Sequence, residues 1–330
     1  MDYLLSRFRP PLEPFNSPPI LHTLLHQPVK SLLRLIHYGF SLLRPTPDAR
    51  LGIRVVCLSD THTLTPAHVP NGDILIHAGD LTNAGTVSEL QAQIDWLATL
   101  PHKHKIAIGG NHDTYLDPRS RETLSAADQR PELDWKDIRY LQHASTTVKL
   151  PNNRSLEFYG APQIPACGPA SFAFQYPRGQ DAWSDTVPIS TDILITHPPP
   201  KYHLDLPVAM GCEHLLKETS RVKPLLHVFG HVHAGRSDAY GRMAGGQQVV
   251  RWDAAEEVMG RAMRRPDGLF SQVLSVGAWW DVMSLVHYDT KGLMWERVWG
   301  GKCPTTLMVN AALAYEDTGK LRNAVQVVDL

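Results

Sequence analysis

The sequence has few cysteines and no surplus of charge of either sign. Its 330 residues contain four cysteines, scattered and without a C-x-x-C pair. This pattern excludes a disulfide framework and indicates a reducing compartment, so we expect a cytoplasmic protein. The 32 Lys and Arg residues balance 33 Asp and Glu residues, for a formal net charge of −1. Dedicated nucleic-acid binders usually carry a basic excess, so no nucleic-acid partner is expected.

The sequence also lacks a secretory signal and a long apolar run. The first apolar residues are broken by Arg7 and Arg9 and then by prolines. In the most apolar stretch, residues 20–43, Lys30 and Arg34 leave uncharged runs at residues 20–29 and 35–43, both far below the roughly 20 residues that a membrane span needs. Residues 31–40 fit an amphipathic helix. Such a helix either docks on the protein core or makes a peripheral contact with a membrane or a partner, and the sequence leaves both alternatives open.

Composition divides the chain into an appendage and a larger domain. Residues 1–50 are rich in proline at both ends, which is typical of an appendage with linkers. We assign residues 51–330 to one domain. Residues 235–302 are rich in Gly, Arg and Met and interrupt the rhythm of predicted strands, so we interpret them as an insertion that is helical over residues 252–264.

Five short apolar runs each end in Asp, Asn or His. They are residues 53–58, 73–77, 105–108, 192–195 and 225–229. Their composition predicts buried strands. Ligand sites in α/β sheets lie at the carboxyl ends of strands, so one site assembled from five loops is the simplest explanation. The polar residues that follow the runs are Asp60, His62, Asp80, Asn111, His112, Asp113, His197, His231 and His233. By contrast, His77 and His227 lie within the runs and are predicted to be core histidines.

The residue types at these ends predict a metal centre. The seven candidate ligands are Asp60, His62, Asp80, Asn111, His197, His231 and His233. Carboxylates, imidazoles and an amide oxygen suit Mn²⁺, Fe²⁺ or Zn²⁺, of which we favour Mn²⁺. Seven ligands are too many for one ion with an open position, and they suit two ions that share a carboxylate. The glycines before Asp80, Asn111 and His231 would let the backbone turn sharply.

These motifs resemble those of the calcineurin-like metallophosphoesterases. The ordered signature of that family is D-x-H, G-D, G-N-H-[DE], H and G-H-x-H, and all of it stands between Asp60 and His233. Four stretches of the sequence are similar to those of the brain-enriched 239-like, or metallophosphoesterase-domain, branch of the family and its fungal relatives. They are S-D-T-H, H-A-G-D-L-T, D-I-L-I-T-H and L-H-V-F-G-H-V-H. The resemblance covers residues 53–233 and 305–330. It implies an α/β fold, a four-layer α/β/β/α sandwich of two mixed sheets.

The resemblance also implies roles for individual residues. One ion would take Asp60, His62, Asp80 and His233, and the other would take Asp80, Asn111, His197 and His231, so that Asp80 bridges them. The ions would hold a bridging hydroxide as the nucleophile. His112 matches the catalytic histidine that donates a proton to the leaving oxygen or stabilises its charge. Asp113 would either orient His112 or cap the loop, and the sequence does not decide between these two roles.

The function that the resemblance implies is hydrolysis of small phosphodiesters, such as cyclic nucleotides, by a dinuclear metal-dependent phosphodiesterase. A phosphomonoesterase is an alternative, because the motifs specify cleavage of a P–O bond better than they specify the leaving group. A non-catalytic, metal-stabilised interaction scaffold is the alternative from another class. The sequence keeps His112 and every candidate ligand, which favours an enzyme.

Overall fold

A computed structural model describes residues 19–46, 52–130, 132–150, 154–205, 209–235, 245–315 and 318–330. The proline-rich residues at the start of the predicted appendage lie outside this part of the chain. The described helices are α1 (Ile20–His26), α2 (Pro28–Leu43), α3 (Val87–Thr99), α4 (Pro118–Arg121), α5 (Glu213–Val222), α6 (Ala254–Met263), α7 (Leu269–Val273) and α8 (Val276–Arg297), and Thr114–Leu116 form a 3₁₀ turn.

The first sheet has five strands. They are β1 (Arg54–Leu58), β2 (Ile74–Ala78), β3 (His104–Ile108), β4 (Ile138–Tyr140) and β13 (Gln326–Asp329). Their spatial order is β13-β1-β2-β3-β4. Strands β1 to β4 are parallel neighbours, whereas β13 pairs with β1 in the antiparallel direction. The parallel pairing places the carboxyl ends of β1, β2 and β3 at one edge of the sheet.

The second sheet has six strands in the order β11-β12-β10-β9-β6-β5. They are β5 (Ala144–Lys149), β6 (Ser155–Ala161), β9 (Ile193–Thr196), β10 (Leu226–Phe229), β11 (Gln247–Arg251) and β12 (Thr305–Asn310). Strands β6, β9, β10 and β12 are parallel, and β5 and β11 are antiparallel edge strands. Two short parallel strands, β7 (Ile164–Pro165) and β8 (Gln175–Tyr176), form a separate pair.

The main core lies between the two sheets. Val55 and Ile76 of the first sheet belong to one buried cluster with Phe158, Ile195 and Val228 of the second. The outer face of the first sheet is covered by α3, whose buried apolar residues recur at helical spacing. The outer face of the second sheet is covered by α5. The predicted four-layer α/β/β/α sandwich of two mixed sheets is therefore confirmed.

Helix α2, which precedes the first strand, packs against α6 and α8, which lie between β11 and β12. Val29 and Leu33 of α2 share a buried cluster with Val258 of α6 and with Val282 and Leu285 of α8. The amphipathic helix predicted for residues 31–40 lies inside α2. The sequence pattern predicts no strand within residues 235–302, yet β11 pairs with β12 in the second sheet. No helix of the described ranges is long and apolar enough to cross a membrane.

Candidate metal centre

The polar ends of five strands meet where the two sheets face each other. Asp60, Asp80 and Asn111 follow β1, β2 and β3, which are parallel neighbours in the first sheet. His197 and His231 follow β9 and β10, which are parallel neighbours in the second. The predicted ligands therefore approach one another from two sides, at the carboxyl ends of parallel strands, where the ligand sites of α/β sheets lie.

Asp60, His62 and His233 form one group of possible ligands. Their donor atoms lie within 4.8 Å of one another. The Nε2 atom of His233 is 3.2 Å from Oδ1 of Asp60 and 3.3 Å from Nε2 of His62. A carboxylate oxygen and two imidazole nitrogens at this spacing suit one divalent ion of the first transition series.

Asp80, His197 and His231 form a second group of the same size. The Nε2 atom of His197 is 3.4 Å from Oδ2 of Asp80 and 2.9 Å from Oδ1 of Asn111. The same Oδ2 atom of Asp80 is 3.9 Å from Nε2 of His62. Asp80 thus lies between the two groups, at the place that a shared carboxylate would occupy.

Four of the seven residues have backbone angles that side chains rarely adopt. The φ angles of Asp60, His62, Asp80 and His231 are 53°, 47°, 53° and 65°. Asp and His tolerate this left-handed region better than most residues, but it still costs free energy. Such strain persists where surrounding contacts enforce it, and it is concentrated at functional sites.

Glycines permit the close approach of the loops to the carboxylates. A Cβ atom at Gly230 would lie 2.1 Å from Oδ2 of Asp60, and one at Gly110 would lie 2.3 Å from Oδ1 of Asp80. Sharp turns are predicted at three glycines, Gly79, Gly110 and Gly230, and of these Gly79 has a positive φ of 97°. The other two are required chiefly because no side chain fits against the carboxylates.

The electrostatics of the site favour ionised carboxylates. Burial alone would raise the pKa of Asp60, but the hydrogen bond from His233 and the neighbouring histidines hold this pKa far below its usual value. Burial opposes ionisation of Asp80 in the same way, yet His197 and His62 hold the pKa of Asp80 well below its usual value. Both carboxylates are therefore charged at neutral pH, although they are fully buried.

The histidines divide into two kinds. Burial would lower the pKa of His197, but the carboxylate of Asp80 outweighs it and raises this pKa to about 9. Burial lowers the pKa of His231 to about 3, so its ring keeps a free lone pair at neutral pH. Metal ligands must be ionised carboxylates and neutral imidazoles, and a divalent cation would displace the proton that His197 shares with Asp80. The residues present therefore fit a pair of divalent ions.

A second layer of neutral histidines supports the ligands. Nε2 of His77 is 3.1 Å from Oγ1 of Thr61, between Asp60 and His62. Nε2 of His227 is 2.9 Å from Oγ1 of Thr196, next to His197. Burial lowers the pKa of His77 to about 4 and that of His227 to about 3. Both are core histidines, as predicted, and each also holds a threonine that neighbours a ligand.

His112 lies at the rim of the second group, beside Asp80. Its backbone N–H donates to Oδ1 of Asp80 at 2.8 Å. Its Nδ1 atom is 3.0 Å from the carbonyl oxygen of Asn83, and because a carbonyl only accepts, Nδ1 must carry the proton. Nε2 is then the ring nitrogen that remains to contact a bound substrate. The ring also contacts the rings of His62 and Phe172, at centroid distances of 4.9 and 4.6 Å.

The carboxylate of Asp113 bonds to the loop and not to the ring of His112. It accepts hydrogen bonds from the backbone N–H groups of Gly110, Leu81 and Thr82 at 2.8 to 3.2 Å, and from the Thr82 hydroxyl at 2.7 Å. Of the two roles that the sequence left open, these contacts favour the cap of the loop. A main-chain carbonyl, that of Asn83, lies 3.0 Å from Nδ1 of His112, the atom that an orienting carboxylate would contact.

Several supporting residues were missed because their contacts are distant in sequence. Nδ2 of Asn310 donates to the carbonyl of Val232 at 3.0 Å, and Nδ2 of Asn323 donates to the carbonyl of His233 at 3.2 Å. Both asparagines brace the loop that carries His231 and His233. Both lie within residues 305–330, which the resemblance covers without giving either a role, and Phe172 had no signal in the sequence.

A cleft of about 870 Å³ lies beside the first ligand group. It is lined by residues 63–68, which follow His62 directly, and by residues 319–325, which include Asn323. The lining contains none of the seven predicted ligands. It does contain two cations, Lys320 and Arg322. The cleft therefore adjoins the loop that carries His62 and has two cations in its lining.

Comparison with known proteins agrees with this geometry. The family model described as calcineurin-like phosphoesterase matches residues 53–235. Metallophosphoesterase domain-containing protein 1 of Homo sapiens is 39% identical over an alignment of 218 positions, and the match covers 58% of this chain and 63% of that protein. The Mus musculus protein of the same name matches equally well. These relatives support the predicted branch.

A fungal protein matches over more of the chain. The protein of Emericella nidulans named probable rhamnogalacturonate lyase C is 38% identical over 288 residues, which are 86% of this chain and 25% of that protein. The chain thus spans only a quarter of this relative, and less than two thirds of the human one. The family model covers more than half of the chain and includes both ligand groups. The chain therefore belongs to the calcineurin-like phosphoesterase family, as the ordered motifs predicted.

Proposed function

We propose that the chain is a dinuclear metal-dependent phosphodiesterase that hydrolyses small phosphodiesters such as cyclic nucleotides. The observation that carries this proposal is the position of Asp80 between two groups of ligand atoms, with His112 directly beside Asp80. The family is one of metal-dependent phosphoesterases, which supports the reaction class. The diester specificity, Mn²⁺ as the preferred metal and a cytoplasmic location are proposed on top of it. All four cysteines are free, in keeping with a reducing compartment.

Each residue has a proposed task in this reaction. Asp60, His62, Asp80 and His233 would hold one ion, and Asp80, Asn111, His197 and His231 would hold the other. When bound, the two ions supply an activated water and neutralise charge on the phosphate oxygens. The hydrogen bond from Nδ1 of His112 to Asn83 keeps Nε2 directed away from the loop. When the ring is doubly protonated, Nε2 carries the second proton, and we assign that proton to the leaving oxygen.

Features around the ligand groups support a substrate with an organic body on the phosphate. The cleft of about 870 Å³ is in the size range of sites for small organic molecules. Lys320 and Arg322 in its lining suit an anionic substrate. Phe172 beside His112 offers an aromatic face, on which a planar leaving group such as a nucleoside base could stack. A phosphate ester of a small alcohol would have no group that fills the cleft or stacks on Phe172.

The test compares a chromogenic phosphodiester with the corresponding phosphomonoester, using the full chain with and without Mn²⁺. We expect metal-dependent hydrolysis that is faster for the diester and that is lost in His112→Ala. His104→Ala is the matched control, because His104 begins the same strand β3 at the end remote from the site. A dominant monoester rate would overturn the diester assignment. No rate on either ester, with two ions bound, would overturn the enzyme assignment and favour the scaffold.

A further inference from the structure

Half of the tryptophans in the chain lie in one short segment and are exposed. The chain has eight tryptophans, and four of them are Trp279, Trp280, Trp295 and Trp299, on α8 and directly after it. Their side chains are 45%, 68%, 50% and 64% exposed. Tryptophan is normally one of the most buried residues on average, so four exposed copies within 21 residues need an explanation.

The acidic residues of α8 all point inward. Asp281 is buried and pairs with Arg261 and Arg265, Asp289 is buried against His37, and Glu296 pairs with Arg44 at 2.8 Å. The outward side of α8 carries mostly apolar side chains, with the cations Lys291 and Arg297 and the polar His287 and Thr290, and no carboxylate. The helices of soluble proteins normally turn their charged residues outward, whereas the carboxylates of α8 all lie on its inner side.

The neighbouring helices extend this surface. Phe270 of α7, Leu274 directly after α7 and Val276 at the start of α8 are 75%, 76% and 85% exposed. Residues 19–46, which include α1 and α2, contain no Asp or Glu and expose several leucines, namely Leu21, Leu24, Leu25, Leu35, Leu42 and Leu43.

Hydrogen bonds to main-chain carbonyls join α1 to the residue before α7, and α2 to α8. The carbonyl of His26 accepts from the Gly268 N–H at 2.6 Å, and the carbonyl of Leu43 accepts from Nε of Arg297 at 2.9 Å. We call the exposed residues of α1, α2, α7 and α8, together with Leu274 and Trp299, the helical face. Asp267, at its edge, is paired with Lys30 at 2.7 Å, so its charge is partly neutralised.

We propose that the helical face docks on the surface of a lipid bilayer that contains anionic lipids. Three properties favour lipid over a protein partner. Tryptophan and basic residues are enriched where proteins meet the membrane interface. The missing carboxylates match the negative potential of anionic leaflets. The most exposed apolar side chains project from the surface instead of lining a groove, and fluid acyl chains accommodate projecting groups without a preformed complement.

The geometry fits a helix lying in the plane of the bilayer. At 1.5 Å per residue, the 22 residues of α8 extend about 33 Å. Its inner side is held in the cluster with α2 and α6, so only the outer side can enter the headgroup region. Docking through this face would place the phosphoesterase at a membrane without a spanning segment among the described residues.

The experiment is co-sedimentation of the full chain with vesicles of phosphatidylcholine, with and without phosphatidylserine. We expect binding that is strongest with phosphatidylserine, and a partition coefficient that falls about tenfold or more in each of Leu274→Glu and Trp280→Glu. Lys291→Glu should weaken binding about fivefold or more, and only on anionic vesicles. Ile189→Glu is the matched control, because Ile189 is 64% exposed but lies before β9, outside the helical face.

The possible results separate the proposal from its alternatives. Failure of the chain to sediment with either vesicle, or an equal loss in Ile189→Glu, would overturn it. A dimer in light scattering that Trp280→Glu dissociates would also overturn it, because the face would then be an interface between two copies. Unfolding is excluded as the cause when the variants keep their metal content and their diesterase rate in solution. That rate tests the proposed function separately, since no residue of the helical face belongs to the metal centre.

Discussion

Asp80→Asn isolates the charge of the carboxylate that lies between the two ligand groups. The amide has the same shape, and its oxygen can still accept the His112 N–H that Oδ1 accepts at 2.8 Å. The change therefore removes the negative charge and the capacity to bind two ions at once. Loss of an outer-shell partner alone lowers metal affinity 10- to 100-fold. For a ligand shared by both ions, we expect affinity to fall by at least about 100-fold at each position.

The effect on the metal-free chain can be worked out from His197. With a pKa of about 9, removing its proton at pH 7 costs about 3 kcal/mol. In Asp80→Asn the ring can release that proton, so the variant loses at most about 3 kcal/mol of stability at pH 7. The contribution of His197 is complete below its ordinary pKa of 6.5 and disappears as the pH rises through about 9. The difference between the two proteins should therefore vanish at high pH.

Asp205→Asn is the matched control for this substitution. Asp205 is also a buried carboxylate, and its Oδ2 accepts the N–H groups of Tyr202 and Gly211 at 2.9 Å each. Burial raises its pKa from 3.8 to about 6, because the N–H donors and the nearby His203 offset the burial only in part. A raised carboxyl pKa means that ionisation costs stability, and this cost grows from about pH 4 and is complete above about pH 6. The amide removes that cost, so the control should gain up to about 3 kcal/mol at pH 7 and nothing below about pH 4.

The assay is denaturant unfolding in the presence of chelator over a pH series, with metal content measured separately by mass spectrometry. At pH 7 the two substitutions should change stability in opposite directions, and only Asp80→Asn should lose the metals. Asp80→Asn with two bound ions and the original rate would refute the shared-ligand assignment. An equal loss of stability at pH 7 and above pH 9 would refute the attribution to His197.

Other changes test single contacts in the same way. His112→Ala should leave metal content intact and slow turnover about 10²- to 10⁴-fold, and an unchanged rate in steady-state kinetics would contradict its role. Gly230→Ala should displace Asp60 and release metal, because the new Cβ atom would lie 2.1 Å from Oδ2. Gly39→Ala in α2, where no atom lies within 4 Å, should instead raise the free energy of unfolding by about 0.5–1 kcal/mol and keep the metals; the same metal and unfolding measurements check both.

The strands that carry the site could be predicted because they are buried along their whole length. All five residues of β2 are buried, so the sequence shows a continuous apolar run that stops where the loop begins. The runs predicted at residues 53–58 and 225–229 became Arg54–Leu58 and Leu226–Phe229. The polar residues stand out after such runs because a buried strand tolerates few of them.

The remaining parts of the site depend on contacts that leave no local pattern. The partner of Nδ1 in His112 is a backbone carbonyl 29 residues away, which any residue at position 83 would supply. Asn310 reaches the loop of His231 across 78 residues. Strand β11 was missed because its burial is only partial, so the sequence shows no continuous apolar run there. Local motifs thus predict ligands, whereas the positions of their supports follow only from the packed fold.

Hydrogen bonds between the two sheets hold the loops of the centre together. The carboxylate of Asp60, from the first sheet, accepts the backbone N–H of His231, from the second, at 3.0 Å. Nδ1 of His197 is 2.9 Å from the carbonyl of Ala78, which ties the sheets in the opposite direction. Because these bonds hold the strained loops from within the protein, metal loss should lower stability by mass action instead of unfolding the chain. A metal at 100 times its Kd adds about 2.7 kcal/mol per ion, so a chelator should lower the free energy of unfolding by about that amount for each ion removed.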